Sequence, residues 1–231
     1  DFGRPGEVLA SGDVDNDGDL DIYIAVARTD SVDATDETSE LMLNNGDGTF
    51  SLGPESSDAR FASELTAPAG VTFVDYDRDG NLDLWITMNS IDYYPQQDRL
   101  LRGDGHGSFT EVTQSVGLNT AGWFSTSTIN EARAHSNAWS STACDLNNDG
   151  NPELLASSYG RAPNHLWRAE RSGGSVEYVN ESLDSGYAFD HRDDWRTNPN
   201  AQCYCEDNPS AAECDTCPLL VDYTLCQRLY A

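Results

Sequence analysis

The chain has 231 residues, with 40 acidic side chains against 13 basic ones, all of them Arg, and a formal charge of −27. A surface of that sign excludes nucleic acid as a partner, and its self-repulsion calls for bound cations or a salty medium. Hydrophobic residues make up 38%, which excludes disorder throughout, and no apolar run nears the ~18 residues that would cross a bilayer.

In chain order, the first organised segment is GDVDNDGDLDIYIA (12–25), an acidic loop that runs into Leu20, Ile22, Ile24 and Val26 at a period of two, the mark of a strand. LMLNNGDGTFS (41–51) follows as an apolar strand, a Gly/Asp turn and an aromatic strand, which predicts a hairpin. The same pair recurs as VDYDRDGNLDLWIT (74–87), with Leu82, Leu84 and Ile86 alternating, and LLRGDGHGSFT (100–110). Residues 130–139 (NEARAHSNAW) are predicted to hold a short turn of helix. A third acidic segment, CDLNNDGNPELLAS (144–157), is followed by a looser hairpin, HLWRAERSGGSVEYV (165–179).

The acidic segments begin at Asp13, Asp75 and Asp145, a spacing of 62 and 70 residues. That period is too long for a helical solenoid unit and suits one four-stranded propeller blade. The predicted fold is all-β: β-propeller-type blades of four antiparallel strands over 1–60, 61–125 and 126–190. Residues 191–231 form either a Cys-rich, disulfide-stapled tail or a degenerate fourth unit.

Each acidic loop places oxygen ligands at its positions 1, 3, 5 and 9, a Gly at position 6 where the backbone turns sharply, and a backbone carbonyl at position 7. The candidate ligands are Asp13, Asp15, Asp17 and Asp21 with the carbonyl of Asp19; Asp75, Asp77, Asp79 and Asp83 with the carbonyl of Asn81; and Asp145, Asn147, Asp149 and Glu153 with the carbonyl of Asn151. Four carboxylates within nine residues repel unless a cation neutralises them, and hard oxygen donors in a flexible loop favour Ca²⁺. Three Ca²⁺ sites are expected, the third weakest because it has one carboxylate fewer and carries Pro152. An EF-hand is excluded, since position 12 would need a bidentate Glu and is Ile24, Ile86 or Ala156. One such loop would read as an ordinary polar turn; three in register do not.

These segments resemble the FG-GAP repeats, also called VCBS-type repeats, of integrin α-subunit propellers and bacterial surface proteins. The resemblance implies that each loop joins the innermost strand of a blade to the next strand and holds Ca²⁺, with GEVLAS (6–11) and AGVTFV (69–74) as inner strands. It also implies scaffolding and adhesion more often than catalysis. Closed propellers use roughly four to eight blades and three are visible, so missing blades, neighbouring copies or the tail must meet the open ends.

Five of six cysteines crowd into the tail, which fits an oxidising, extracellular or cell-surface location. Cys203, Cys205, Cys214, Cys217 and Cys226 leave one thiol over, which Cys144 is expected to satisfy; a structural zinc site on C-x-C and C-x-x-C is the weaker reading. His106, His135, His165 and His191 lack the mutual spacing of a ligand set, Arg102-Gly103-Asp104 reads as part of a turn, and Asn180-Glu181-Ser182 and STST (125–128) are weak glycosylation signals. The leading functional expectation is a non-catalytic calcium-binding scaffold for adhesion or surface assembly, with protein partners or self-association. The alternatives are a module of a secreted glycan-processing enzyme, suggested by the cluster Arg192, Asp193, Asp194 and Trp195, or a ligand-binding module of a larger protein with a glycan as ligand.

Overall fold

The computed structural model describes residues 8–27, 38–60, 66–91, 94–122, 126–158, 162–189, 202, 205, 206, 208–211 and 214. Strands β1 (Val8–Gly12), β2 (Asp21–Ala25), β3 (Glu40–Asn44) and β4 (Phe50–Leu52) form one antiparallel sheet in that order, blade 1. Blade 2 contains β5 (Pro68–Val74) and β6 (Asp83–Met88), then a small separate hairpin, β7 (Ser90–Ile91) with β8 (Tyr94–Pro95), and then β9 (Arg99–Gly103) and β10 (Phe109–Glu111). After the short helix α1 (Thr126–Asn130), blade 3 is built from β11 (Ala138–Cys144), β12 (Glu153–Ser158), β13 (His165–Ser172) and β14 (Ser175–Asn180). The architecture is all-β, three four-stranded antiparallel sheets that do not close into a ring.

The register is the same in each blade. Gly12 pairs with Asp21, Val74 with Asp83 and Cys144 with Glu153, so each acidic loop caps the inner hairpin and its ninth residue opens the second strand. β1 and β11 flank β5, and Thr72 of β5 shares a 2.7 Å hydroxyl hydrogen bond with Ser141 of β11.

Because a blade has two faces, its core lies between sheets. Val14, Tyr23, Ala25 and Leu41 of blade 1 pack against Leu84, Ile86, Met88, Leu101 and Phe109 of blade 2. Val74, Tyr76, Trp85 and Leu100 on the other face of blade 2 pack against Leu154, Ala156, Trp167 and Tyr178 of blade 3. The consequence shows in burial along the second strands. All six residues of β6, sandwiched on both sides, are buried, whereas β2 alternates and its Ile22 and Ile24 stay half-exposed. Period two identified the strand; the neighbouring blade decides which face is core.

Two expectations are corrected. The helical turn forms at α1, earlier than 130–139, because Ile129 anchors it against Ala134 and Ala162, and Ala132 at φ 52° ends it; Ala138 and Trp139 enter β11 instead. Cys144 is a free, exposed thiol, while Cys205 and Cys214 are bridged to each other across nine residues. Cys144 closes β11 at the end that enters the third acidic loop, on a strand whose alternate side chains face solvent, so it is held away from a partner. Cys203, Cys217 and Cys226, His191 and the cluster 192–195 lie outside the described residues. His165 is fully buried, with its Nδ1 3.9 Å from a carboxylate oxygen of Asp98; His135 bonds Thr120, and His106 sits in the exposed turn of the second hairpin. Asn180 donates its amide to the Ala132 carbonyl at 2.8 Å, so its nitrogen is engaged within the fold.

Candidate metal centre

The three acidic loops share one backbone design. The position 1 carboxylate accepts the N–H groups of positions 5 and 6: Asp13 from Asp17 (3.1 Å) and Gly18 (3.0 Å), Asp75 from Asp79 (3.1 Å) and Gly80 (3.2 Å), Asp145 from Asp149 (3.0 Å) and Gly150 (2.8 Å). Position 5 accepts the N–H of position 7 at 2.9, 2.9 and 2.7 Å. The position 6 glycines take φ of 97°, 90° and 85°, as the sequence pattern requires. Position 4 is also left-handed, at Asn16 (61°), Arg78 (61°) and Asn148 (59°). Asn adopts that conformation readily; Arg does not, so the second loop holds a strained residue that sequence reasoning missed.

Position 9 is the buried anchor. Asp21 accepts the N–H of Val14 (2.9 Å) and of Asn44 (2.8 Å), and Asp83 accepts those of Tyr76 (2.9 Å) and Gly103 (2.9 Å), so each carboxylate ties the loop to the following hairpin. Position 7 side chains lie on that hairpin's turn. At Gly46 (φ 73°) and Gly105 (φ 71°) an added Cβ would fall 2.6 Å from Asp19 Oδ2 and 2.2 Å from Asn81 Oδ1. This close approach is why the hairpin motif repeats a glycine there.

Carboxylate oxygens of Asp13, Asp15 and Asp21 converge within 4.8 Å of one another, and so do those of Asp75, Asp77 and Asp83. These two groups have the donor chemistry of a Ca²⁺ site. In the first, Asp15 Oδ1 is buried and has no hydrogen-bond partner, an orphaned acceptor that a cation would satisfy. Burial, and then repulsion from Asp21, Asp17 and Asp13, pushes the Asp15 carboxyl above its ordinary range. In the second, Arg102 pairs with Asp77 (2.8 Å) and Asp79 (2.7 Å), placing a fixed positive charge against the loop. Burial works to raise Asp79, but the Asn81 N–H and Arg102 outweigh it and hold the carboxyl low.

The third loop has the backbone design without the position 3 carboxylate, where Asn147 stands. Asn147 donates to Asp149 (3.0 Å) and to Glu153 Oε1 (3.3 Å), and Glu153 Oε2 accepts the Leu146 N–H (2.8 Å), so an amide stands between acids that a cation would otherwise separate. The loops also touch one another. Asn16 donates to Asn81 (3.1 Å), Arg78 donates to the Gly150 carbonyl, and Arg171 spans Asn151 (2.6 Å), Asp77 O (2.9 Å) and Tyr76 O (2.8 Å). None of these contacts was visible in the sequence. Of Arg102-Gly103-Asp104, Arg102 and Gly103 end β9 and only Asp104 opens the turn: Arg102 binds the acidic loop, Gly103 N–H bonds Asp83, and Asp104 accepts the N–H groups of His106 (2.8 Å) and Ser108 (3.0 Å).

Burial pushes the Asp83 carboxyl up to about 7, opposed by the Gly103 and Tyr76 N–H groups and reinforced by Asp77 and Asp79. A cation needs the carboxylate, so a cation that binds loop two at neutral pH would displace a proton from Asp83. Calorimetric calcium titrations in buffers of different ionisation enthalpy are expected to show that release, and Asp83→Asn to remove it; buffer-independent heats would contradict it. The sign for folding follows. The metal-free fold holds this proton more tightly than the unfolded chain, whose Asp titrates near ~4, so its contribution to stability is full below that pH and is lost as pH rises through about 7.

Residues 13–86, which include the first two acidic loops and the strands between them, match the family model of the FG-GAP-like repeat. No curated protein is significantly similar to the chain.

Proposed function

We propose that this chain, built on the FG-GAP-like repeat, is a calcium-binding propeller-type scaffold that works outside the cell and has no chemistry of its own. The observation that carries the reading is the convergence of two carboxylate triads, one with an orphaned buried oxygen, on loops whose backbone recurs in all three blades. Asp13, Asp15, Asp17 and Asp21 with the Asp19 carbonyl would hold one ion, and Asp75, Asp77, Asp79 and Asp83 with the Asn81 carbonyl a second. Asp145, Asn147, Asp149, Glu153 and the Asn151 carbonyl would hold a third more weakly. The ion supplies charge neutralisation; the chain's own groups orient it through the position 1 and position 9 carboxylates, which the backbone already fixes.

Several observations support the extracellular, partner-binding part. The Cys205–Cys214 bridge suits an oxidising compartment. No helix among the described residues is long and apolar enough to cross a membrane. An acidic repeat protein that spreads a rigid surface across blades suits adhesion or surface assembly, where calcium sets the shape and a protein partner reads it.

Calorimetric titration is expected to show two calcium equivalents of similar affinity and a third weaker by at least about tenfold, with Asp13→Asn and Asp75→Asn each removing one of the strong sites. A chain that binds no calcium at millimolar concentration would overturn the reading.

A further inference from the structure

We infer that Arg171 is a coupling residue through which loops two and three bind their ions cooperatively, while loop one binds independently of loop three. The inference deepens the calcium reading proposed above and rests on it; what it adds is the residue that joins two of the sites.

The repeat singles out Arg171. Counting from the pairs Leu84 with Leu101, Leu154 with Trp167 and Ile22 with Met42, Arg171 stands where blades 1 and 2 have Gly46 and Gly105. Those glycines lie against the position 7 side chains of their own loops, Asp19 and Asn81. In blade 3 the strand runs on past this place, and Arg171 puts a guanidinium there, its Nε donating to the position 7 oxygen Asn151 Oδ1 at 2.6 Å. Its other two nitrogens reach the preceding blade, Nη1 to the Asp77 carbonyl (2.9 Å) and Nη2 to the Tyr76 carbonyl (2.8 Å). One half-buried side chain thus ties positions 2 and 3 of loop two to position 7 of loop three.

Both ends of this tie lead to candidate ligands. In loop three, the side-chain amide and the backbone N–H of Asn151 both donate to Asp149 Oδ1, at 2.9 and 2.7 Å, so Arg171 sets the amide that sets the position 5 carboxylate. In loop two, the Tyr76 N–H is held by Asp83 at 2.9 Å and its carbonyl by Arg171, which fixes the chain between Asp75 and Asp77. Arg78 adds a second tie, to the carbonyl of Gly150, whose N–H donates to Asp145 at 2.8 Å.

Ordering either loop therefore orders the acceptors of Arg171, and the other loop then loses less conformational freedom when it binds. Arg171 takes no ligand from either loop, because its acceptors are two carbonyls and an amide; Arg102, by contrast, pairs with the carboxylates of Asp77 and Asp79. Bonds from a guanidinium are roughly twice as strong as neutral ones. The bond between loops one and two is neutral and exposed, from Asn16 to Asn81 at 3.1 Å, so loop one is the weakly coupled member. Charge alone gives the opposite sign, since an ion in loop two repels one in loop three, and salt of about 0.15 M screens that repulsion beyond about 8 Å.

The test titrates the full chain with calcium in about 0.15 M salt and follows the amide signals of Gly80 and Gly150 by NMR, which report loops two and three separately. Asp75→Asn, which disables loop two, should weaken calcium at loop three by at least about fivefold, the lower end of allosteric coupling. Asp13→Asn should leave loop three unchanged. In an Arg171→Gln background the effect of Asp75→Asn should fall below about twofold, and the cycle cancels any direct effect of the lost charge. Arg171→Lys, which keeps the charge without the fork, should lose the coupling as well, and it reads the same loss if Arg171→Gln does not fold. Coupling that persists in the folded Arg171 variants overturns the inference. Independent binding in the wild-type chain, or a loop three that takes no calcium while loop two does, overturns the coupling and leaves the calcium reading standing. A chain in which neither amide moves at millimolar calcium overturns both.

Discussion

Trp85→Ala is expected to destabilise the chain by about 3–5 kcal/mol, the range for removing a large aromatic side chain from a packed core, and to lower its Tm by about 10 °C. Trp85 is fully buried in the interface between blades 2 and 3, and its indole N–H donates to the Leu155 carbonyl at 3.1 Å. The substitution opens a cavity that rigid sheets on both sides cannot collapse into, and it leaves a buried carbonyl without its donor. Trp85→Phe keeps much of the volume and is expected to cost less than half as much. Urea unfolding followed by fluorescence and by circular dichroism checks both. A loss below about 1 kcal/mol for Trp85→Ala would mean that blade 3 is stable without blade 2, contrary to a core shared between sheets.

Asp83→Ala is expected to cost about 3 kcal/mol or more without any metal present, because it strands the buried N–H groups of Tyr76 and Gly103 together, each worth about 1–3 kcal/mol. Asp21→Ala should behave alike, through Val14 and Asn44. Glu153→Ala should cost less, since Glu153 holds one backbone N–H, that of Leu146. The proposed calcium would add a separate effect. At a concentration a hundredfold above Kd, each bound ion raises stability by about 2.7 kcal/mol, and Asp83→Ala should abolish that increment for loop two alone. Thermal unfolding with chelator and with calcium distinguishes the roles. If the variants match wild type in chelator and differ only in calcium, position 9 is a ligand and not an anchor.

Much of the repeat was legible because its signals are local. The acid or amide at every second place of each loop, the glycine at position 6, the two-residue period of the strand and the Gly/Asp turn of the hairpin all act within about ten residues. They follow from backbone conformation and charge repulsion, which need no knowledge of neighbours. Position 4 was missed because Asn16, Arg78 and Asn148 share a conformation and not a chemistry. Arg102 and Arg171 were missed because their acceptors lie in loops 20 to 95 residues away.

Cys144 shows the same division. Counting thiols in the tail gave it a partner, yet the end of β11 turns it to solvent while Cys205 and Cys214, nine residues apart, pair with each other. Parity constrains how many bridges are available; only the path of the chain selects which sulfurs meet.

By itself, then, the sequence determined the all-β class, the four-stranded unit, the three loops and the acids that converge in the first two, since each is set by short-range backbone geometry and electrostatics. The tertiary structure alone decided which face of each strand is core. Ile22 and Leu84 occupy the same place in the repeat and read alike, but Leu84 has a blade against it and Ile22 does not. Burial is a property of what lies across an interface, and in a stack of identical-looking units no single unit carries that information.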